Sequence, residues 1–492
     1  MATPFVLAVD VGTSSLKAVL YDKQGQVLDS TTRRYAYRSE QPGWAEADPR
    51  EWWLAFQAAL GDLRFPLNHV EAIAFTGQMH TAVLLDADGT PLDPTILWLD
   101  RRAAAETKEL AATLQLPPYQ LNSTYTLPKL LWLKRNRPAV LRKTRAILWP
   151  KDYLRFCLTG DVCTDLTEAG GAALLDWETE TWAIERLAFA GLDAPILPLI
   201  RGADAIVGQP KREVAEKLGI RQDAKVIVGM GDVAALIGGA PPQPGRVVCS
   251  LGSSSMIFAA LAPDQHPDDP TRRLYTYPFL SPYRLFGGVS STTGAALVWA
   301  YNTLTKDKAS FEDAMREALS VSADGLCFIP YLAGERNPYW SDDIRAGFYG
   351  LQLSHDQRHL VRAVMESIAF SLRHLLDIYA ECGVPAQELT LAGGGAQTPG
   401  LCQIIADVCG MDVSIYAEEE TVTRVLYALC QTALHRANFD DALRQTFRAP
   451  ELIRCDRAQM ARYGPGYATY RRFSDFALQG ARRAQITERV ST

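Results

Sequence analysis

Neither disulfides nor a structural metal are indicated for this chain of 492 residues. Its nine cysteines are scattered singly and none forms a Cys-x-x-Cys pair, so neither framework has its usual spacing. The seven histidines include no His-Glu-x-x-His arrangement, which argues against a protein-held zinc ion. There is no basic block or arm: net charge is -6 with both signs mixed along the chain, and nucleic acid is excluded as an expected partner. No uninterrupted apolar stretch is long enough to cross a bilayer, so no membrane association is expected. The first residues run directly into a strand-like segment without signal-peptide organisation, and the expected location is cytoplasmic. Neither a Walker Lys-Ser/Thr ending nor a Gly-x-Gly-x-x-Gly turn is present, which leaves both a P-loop and a dinucleotide fold without support.

What is present is an ordinary globular composition, 48% hydrophobic and 22% charged, over a length that suits two domains. Two segments look like copies of one unit: Phe5 to Leu28, and Gly245 to Ala262. Each has an apolar β-branched run, a Gly-Ser/Thr turn and a second apolar run, which reads as a β-hairpin and not a βαβ crossover. Recurrence at the start of each half predicts two related domains, 1–242 and 243–492, joined near the Pro/Gly-rich Ala240–Gly245 connector. Strand-like runs alternate with amphipathic segments such as Arg50 to Leu63 and His359 to Cys382, which predicts an α/β class with mixed sheets. The Arg- and Gln-rich tail after Tyr470 reads as a surface helix with a frayed end.

The first hairpin turn, Asp10-Val-Gly-Thr-Ser-Ser-Leu-Lys17, has the parts of a phosphate cradle. Gly12 permits close backbone approach, Thr13 and Ser14 supply hydroxyls, and Lys17 on the outgoing strand can meet the same phosphate. Asp10 can hold a hydrated magnesium ion. Alone, the turn is explained as well by side chains that merely close it. Its recurrence as Leu251-Gly252-Ser253-Ser-Ser255 favours two hydroxyl-rich hairpins gripping a nucleotide's phosphates. A third loop, Leu391-Ala-Gly-Gly394-Gly395-Ala396, follows a strand-like run, and either a flat ring, a phosphate or tight packing accounts for it. Asp232 in Gly229-Met-Gly-Asp-Val233 is read either as a helix cap or as a catalytic carboxylate.

Three such loops in this order resemble the actin-like (ribonuclease H-like) ATPase fold, and over nearly its whole length the chain resembles the FGGY carbohydrate kinases. The resemblance is carried by Ala346-Gly-Phe-Tyr-Gly-Leu351 followed by His359-Leu-Val-Arg-Ala-Val-Met-Glu366, and less fully by Thr126-Leu-Pro-Lys-Leu-Leu-Trp132. It implies two actin-like domains with a cleft between them, ATP and magnesium as cofactors, and a small sugar as acceptor. The N-terminal domain would bind the sugar and the C-terminal domain the nucleotide. Asp232 would be the base that activates the acceptor hydroxyl, and Gly294 a small residue beside the nucleotide. Dimers are common in the family, which makes a homodimer the implied assembly, although the sequence singles out no interface stripe.

For the acceptor, Thr76-Gly-Gln78-Met79-His80-Thr81 is similar to the segment of the xylulokinase branch whose Met and His line a ketose pocket. Without that context His80 would be read as a satisfied core histidine. Trp98-Leu-Asp100-Arg-Arg102 resembles the family's Trp-x-Asp-x-Arg segment, where Asp100 and Arg102 bond hydroxyls, brace the pocket or form a surface ion pair. Pro150-Lys-Asp-Tyr-Leu154 and Leu158-Thr-Gly-Asp-Val162 also align with that branch. D-Xylulose is the implied substrate; ribulose, gluconate, glycerol and a non-catalytic binding protein are the alternatives. The chain departs from the family pattern at Val233 (usually Asn or Gln), Ser253 (Thr), Thr81 (Gly), Val298 (polar in glycerol kinases) and Val425-Leu-Tyr-Ala428 (Gly-Ala-Ala).

Overall fold

The computed structural model describes residues 4–238, 243, 245–280, 282–305, 310–323, 325–416, 420–447 and 449–490. Most of the Ala240–Gly245 connector therefore lies outside the described residues. By packing, the chain forms two compact units: Met1–Pro241 with Tyr277–Arg284 and Glu418–Phe447, and Pro242–Thr276 with Leu285–Ala417 and Arg448–Thr492.

Unit 1 is built on a six-stranded sheet of β1 (Phe5–Val11), β2 (Ser15–Tyr21), β3 (Val27–Arg34), β4 (Val70–Gly77), β5 (Ile206–Gly208) and β6 (Lys225–Gly231), in the order β5-β6-β4-β1-β2-β3. The β1–β2 pair is the antiparallel hairpin expected from sequence, with Asp10 opposite Lys17. β4 runs parallel to β1 on one side and to β6 on the other, so the C-terminal ends of β1, β4 and β6 lie at one edge. Val6, Leu7, Ala8 and Val9 are all fully or almost fully buried, which is why β1 reads as a continuous apolar run instead of alternating. The helix Pro49–Asp62 starts at an Asp48 cap and buries Trp52, Phe56, Ala59 and Leu60, the i, i+4, i+7, i+8 face of an amphipathic helix.

Unit 2 repeats the plan. Six strands of its sheet, β7 (Arg246–Leu251), β8 (Ser255–Leu261), β9 (Arg284–Ser290), β10 (Glu388–Ala392), β11 (Val413–Ile415) and β12 (Glu451–Ile453), run in the order β9-β8-β7-β10-β11-β12. The β7–β8 hairpin is antiparallel and β10 lies parallel beside β7, matching β1, β2 and β4 in the first unit. The helix Gln357–Glu381 opens with a capping box between Asp356 and His359, and most of its length is buried. The tail forms the helix Arg457–Val490, which passes through Pro465 and buries Tyr470.

Two later segments, Tyr277–Arg284 and Glu418–Phe447, pack with the first half of the chain. The helix Thr421–Ala433, placed from sequence in the C-terminal domain, packs in unit 1 with β1 and β4. Tyr21 donates or accepts at Thr423 over 2.7 Å, Tyr427 donates to the Lys23 carbonyl, and Arg436 pairs with Glu71. Val425, Leu426 and Tyr427 are each fully buried there, with the Tyr427 ring 5.4 Å from Tyr21. The bulk that departs from Gly-Ala-Ala is thus core filling.

Candidate active site

The β1–β2 turn is closed by Gly12 N–H donating to the Ser15 carbonyl, while the Gly12 carbonyl accepts from Tyr35 Oη (2.6 Å) and Gln78 Nε2 (3.3 Å). Ser14 is exposed, and its carbonyl accepts from Tyr35 N–H. Thr13 Oγ1 accepts from the Trp98 indole at 2.9 Å, which joins the hairpin to the Trp98–Arg102 segment. Asp10 Oδ1 is buried and has no hydrogen-bond partner among the described residues. Burial lifts the Asp10 carboxyl to about 6, although Lys17 opposes the rise. An orphaned carboxylate oxygen is what a hydrated magnesium ion would satisfy. Among the described residues no group of three or more His, Cys, Asp or Glu could hold a metal ion, so the fit is to an ion held mainly by water and phosphate oxygens, not by a protein cage. Lys17 Nζ is paired with Glu420, from the later segment that packs in unit 1.

Asp232 is the first residue of the helix Asp232–Ile237, following β6, and the cap position is Gly231. The helix-cap alternative therefore fails. Asp232 Oδ1 accepts the adjacent Val233 N–H at 2.8 Å. Burial and the neighbouring Asp10 charge raise the carboxyl to about 7. A carboxylate raised to that value is a competent proton acceptor near neutral pH.

The Gln78-Met79-His80 segment leaves β4 beside it. A Cβ on Gly231 would come within 2.6 Å of Met79 Sδ, so the residue before Asp232 must be glycine for Met79 to close against it. His80 adopts φ 68°, unusual for a residue with a Cβ. Its Nδ1 lies 2.8 Å from the Gly171 carbonyl, which makes Nδ1 the protonated nitrogen and Nε2 the acceptor. Its N–H donates to Glu168 Oε1, its carbonyl accepts from Thr126 Oγ1, and its ring lies 4.6 Å from Tyr125. Burial depresses the imidazole to about 3, so the ring is neutral. A Cβ on Gly171 would overlap the His80 ring. Gly171→Ala should raise the KM for the sugar about tenfold, since overpacking of about 1–3 kcal/mol would be relieved by moving His80. Initial-rate kinetics check this, and an unchanged KM would show that Gly171 does not set the ring's pose.

Asp100 and Arg102 are not a surface pair. Both side chains are buried, and Asp100 accepts from Ala45 N–H (2.5 Å), Arg102 N–H and the Arg102 guanidinium. Arg102 also donates to Glu46 at 2.6 Å and lies 3.6 Å over the Trp44 ring. The pair braces the loop carrying Trp98.

Unit 2 brings the other nominated residues together. Gly294 N–H donates to the Gly252 carbonyl (2.9 Å), Thr293 and Ala295 N–H donate to the Ser253 carbonyl, and Ser255 Oγ donates to Thr293 Oγ1 (2.7 Å). A Cβ on Gly294 would sit 2.5 Å from the Gly252 carbonyl oxygen, so the helix Gly294–Leu304 meets the hairpin only through glycine. Gly395 abuts Leu251, while a Cβ on Gly394 would meet nothing within 4 Å, leaving that backbone open to a ligand. Val298 is exposed on the same helix.

Sequence reasoning missed the residues beneath Asp232. Lys151, Asp152, Arg155, Asp165 and Glu168 are fully buried in one cluster. Lys151 Nζ pairs with Asp152 (2.6 Å) and Asp165 (2.8 Å), and Arg155 with Asp152 (2.9 Å). Burial pushes the Glu168 carboxyl well above the ordinary carboxylate range, against the opposing pull of Lys151. The signal was in the helix Pro150–Thr159, where Lys151, Asp152 and Arg155 interleave with the buried apolar Tyr153, Leu154 and Leu158.

Two family domains match this geometry: the N-terminal domain of the FGGY family of carbohydrate kinases over residues 5–238 and its C-terminal domain over 247–424. A xylulose kinase of Lactococcus lactis subsp. lactis is 34% identical over 421 residues, covering 82% of this chain and 83% of the relative. Among solved structures, a gluconate kinase from Lactobacillus acidophilus superimposes with TM-score 0.90 at 26% identity, covering 97% of this chain and 99% of that one. A xylulose kinase from Rhodospirillum rubrum does so with TM-score 0.87 at 27% identity, covering 97% and 100%. The hairpins, the carboxylate after β6 and these likenesses together place the chain in the FGGY family of carbohydrate kinases, ATP-dependent enzymes of two mixed α/β domains.

Proposed function

We propose that this kinase phosphorylates a ketopentose, converting D-xylulose to D-xylulose 5-phosphate, with Asp232 as the base. The observation carrying this reading is the contact of Gly231 with Met79, which sets the base beside the Met79-His80 pair. Neutral His80 offers Nε2 to a sugar hydroxyl, Met79 supplies an apolar wall, and Gln78 Oε1 is a buried acceptor without a partner among the described residues. Trp98, braced by Asp100 and Arg102, completes the sugar side. Asp232 accepts the proton of the attacking hydroxyl as that oxygen forms its bond to phosphorus.

Magnesium, when bound at Asp10, supplies charge neutralisation on the phosphates. Gly12, Thr13, Ser14 and Lys17 present backbone and polar groups to phosphate in unit 1. Gly252, Ser253, Gly294, Gly394 and Gly395 form the nucleotide-binding surface of unit 2.

An uncharged acceptor is favoured over gluconate by the basic groups around His80. Burial pushes the Lys129 ammonium well below its ordinary value, His80 is neutral, and Arg102 is committed to Asp100 and Glu46. These groups offer little charge for a carboxylate. Coupled ADP-release assays with xylulose, ribulose, gluconate and glycerol should give the highest kcat/KM for xylulose. Turnover of gluconate or glycerol with none of xylulose would overturn the substrate.

A further inference from the structure

The strand that delivers Asp232 is irregular. β6 shifts register against β4 between Ile227 and Met230, with Gly229 at φ 78°. Such a bulge re-aims the residues that follow it, but it also removes ladder hydrogen bonds that would hold them. Val228 N–H and Gly229 N–H turn to the Ala205 and Ala203 carbonyls (3.0 and 2.9 Å), and two contacts from side chains hold the stretch as well. Arg155 donates to the Val228 carbonyl at 2.9 Å, and Gly231 N–H donates to Thr167 Oγ1 at 2.9 Å.

Both contacts belong to one buried chain of interactions. From Arg155 it runs through Asp152 and Lys151 to Asp165, whose Oδ2 accepts from Thr167 Oγ1 and Thr167 N–H. Thr167 thus donates to a carboxylate and accepts from the residue preceding the base. Its own backbone is held by the Asp165 cap of the helix Leu166–Gly170 and by Tyr277 Oη, which donates to the Thr167 carbonyl at 2.8 Å. The same helix turn presents Glu168 to the His80 N–H.

We infer that Thr167 is a positioning residue for phosphoryl transfer, its hydroxyl coupling the buried ion cluster to the backbone that aims the Asp232 carboxylate. The inference rests on the reading of Asp232 as the base. Thr167 touches neither sugar nor nucleotide in this account. It acts through Gly231, so it bears on turnover and not on sugar affinity. Valine keeps the shape and deletes both hydrogen bonds. Serine keeps the hydroxyl.

The test is a double-mutant cycle in the full-length enzyme with Thr167→Val, Thr167→Ser and Asp232→Asn, measured with ATP, magnesium and the best acceptor from the panel. Thr167→Val should lower kcat by about tenfold to a hundredfold, as small misplacements of reacting groups do, with sugar KM within about twofold. Thr167→Ser should recover most of that loss. In the Asp232→Asn background Thr167→Val should cause no further fall, because the group it aims is gone. A Thr167→Val enzyme with unchanged kcat, while Asp232→Asn is inactive, would overturn the positioning role and leave the base intact. Full turnover by Asp232→Asn would instead remove the base. Additive losses in the cycle, or loss of folded protein alone with unchanged kcat per folded molecule, would assign Thr167 a purely structural part.

Discussion

Asp232→Asn should reduce kcat by about 10²–10⁴-fold while sugar binding persists. The amide has nearly the shape of the carboxylate and can still accept from Val233 N–H, so the fold has little reason to change. What it loses is the ability to take the acceptor's proton. The sign of the pH dependence follows from the same group. Asp232 must be deprotonated to act, and burial with the Asp10 charge raises it to about 7. The active form is therefore lost as pH falls through that value, and kcat/KM should drop about tenfold per unit on the acid side. In the residual activity of Asp232→Asn the limb near 7 should vanish, leaving the fall at lower pH set by Asp10, whose carboxyl burial raises to about 6. Stopped-assay kinetics between pH 5 and 8 (about the range spanned by this titration) with isothermal titration of the sugar would decide it. Undiminished turnover would remove Asp232 from the mechanism.

Lys151→Met should destabilise the protein by about 3–5 kcal/mol. The Lys151 ammonium is fully buried between Asp152 and Asp165. Burial alone would depress it, but the two carboxylates outweigh that and hold it charged above its ordinary value. Methionine fills the space and removes the charge. Asp152 keeps Arg155, whereas Asp165 retains only Thr167 N–H and hydroxyl and must either stay charged in the core or take up a proton. Lys151→Met/Asp165→Asn, which restores the balance, should regain part of the loss. Urea unfolding followed by tryptophan fluorescence reads the midpoint. A shift under about 1 kcal/mol, the size of an exposed pair, would mean the cluster is solvated or redundant.

The sequence carried the local chemistry of this protein. Hairpins with Gly-Ser/Thr turns, the Asp after an apolar strand and the amphipathic helices were legible because turn formation and burial periodicity act over a few residues. Phe5–Val11 and Ser15–Tyr21 pair as read, and so do Arg246–Leu251 and Ser255–Leu261. Met79 and His80 were legible through their likeness to a family segment, not through any physical pattern of their own.

Tertiary structure decided which distant groups share a buried space, since charge compensation in a core depends on distance in space and not along the chain. It joined Lys17 to Glu420, packed the Thr421–Ala433 helix in the first unit, and buried Asp100 and Arg102 together, which removes the surface-pair alternative. It also set Thr167 against Gly231, 64 residues apart. The residues proposed to perform chemistry were named from the sequence, but those proposed to aim them became visible only when the fold brought their partners within hydrogen-bonding distance.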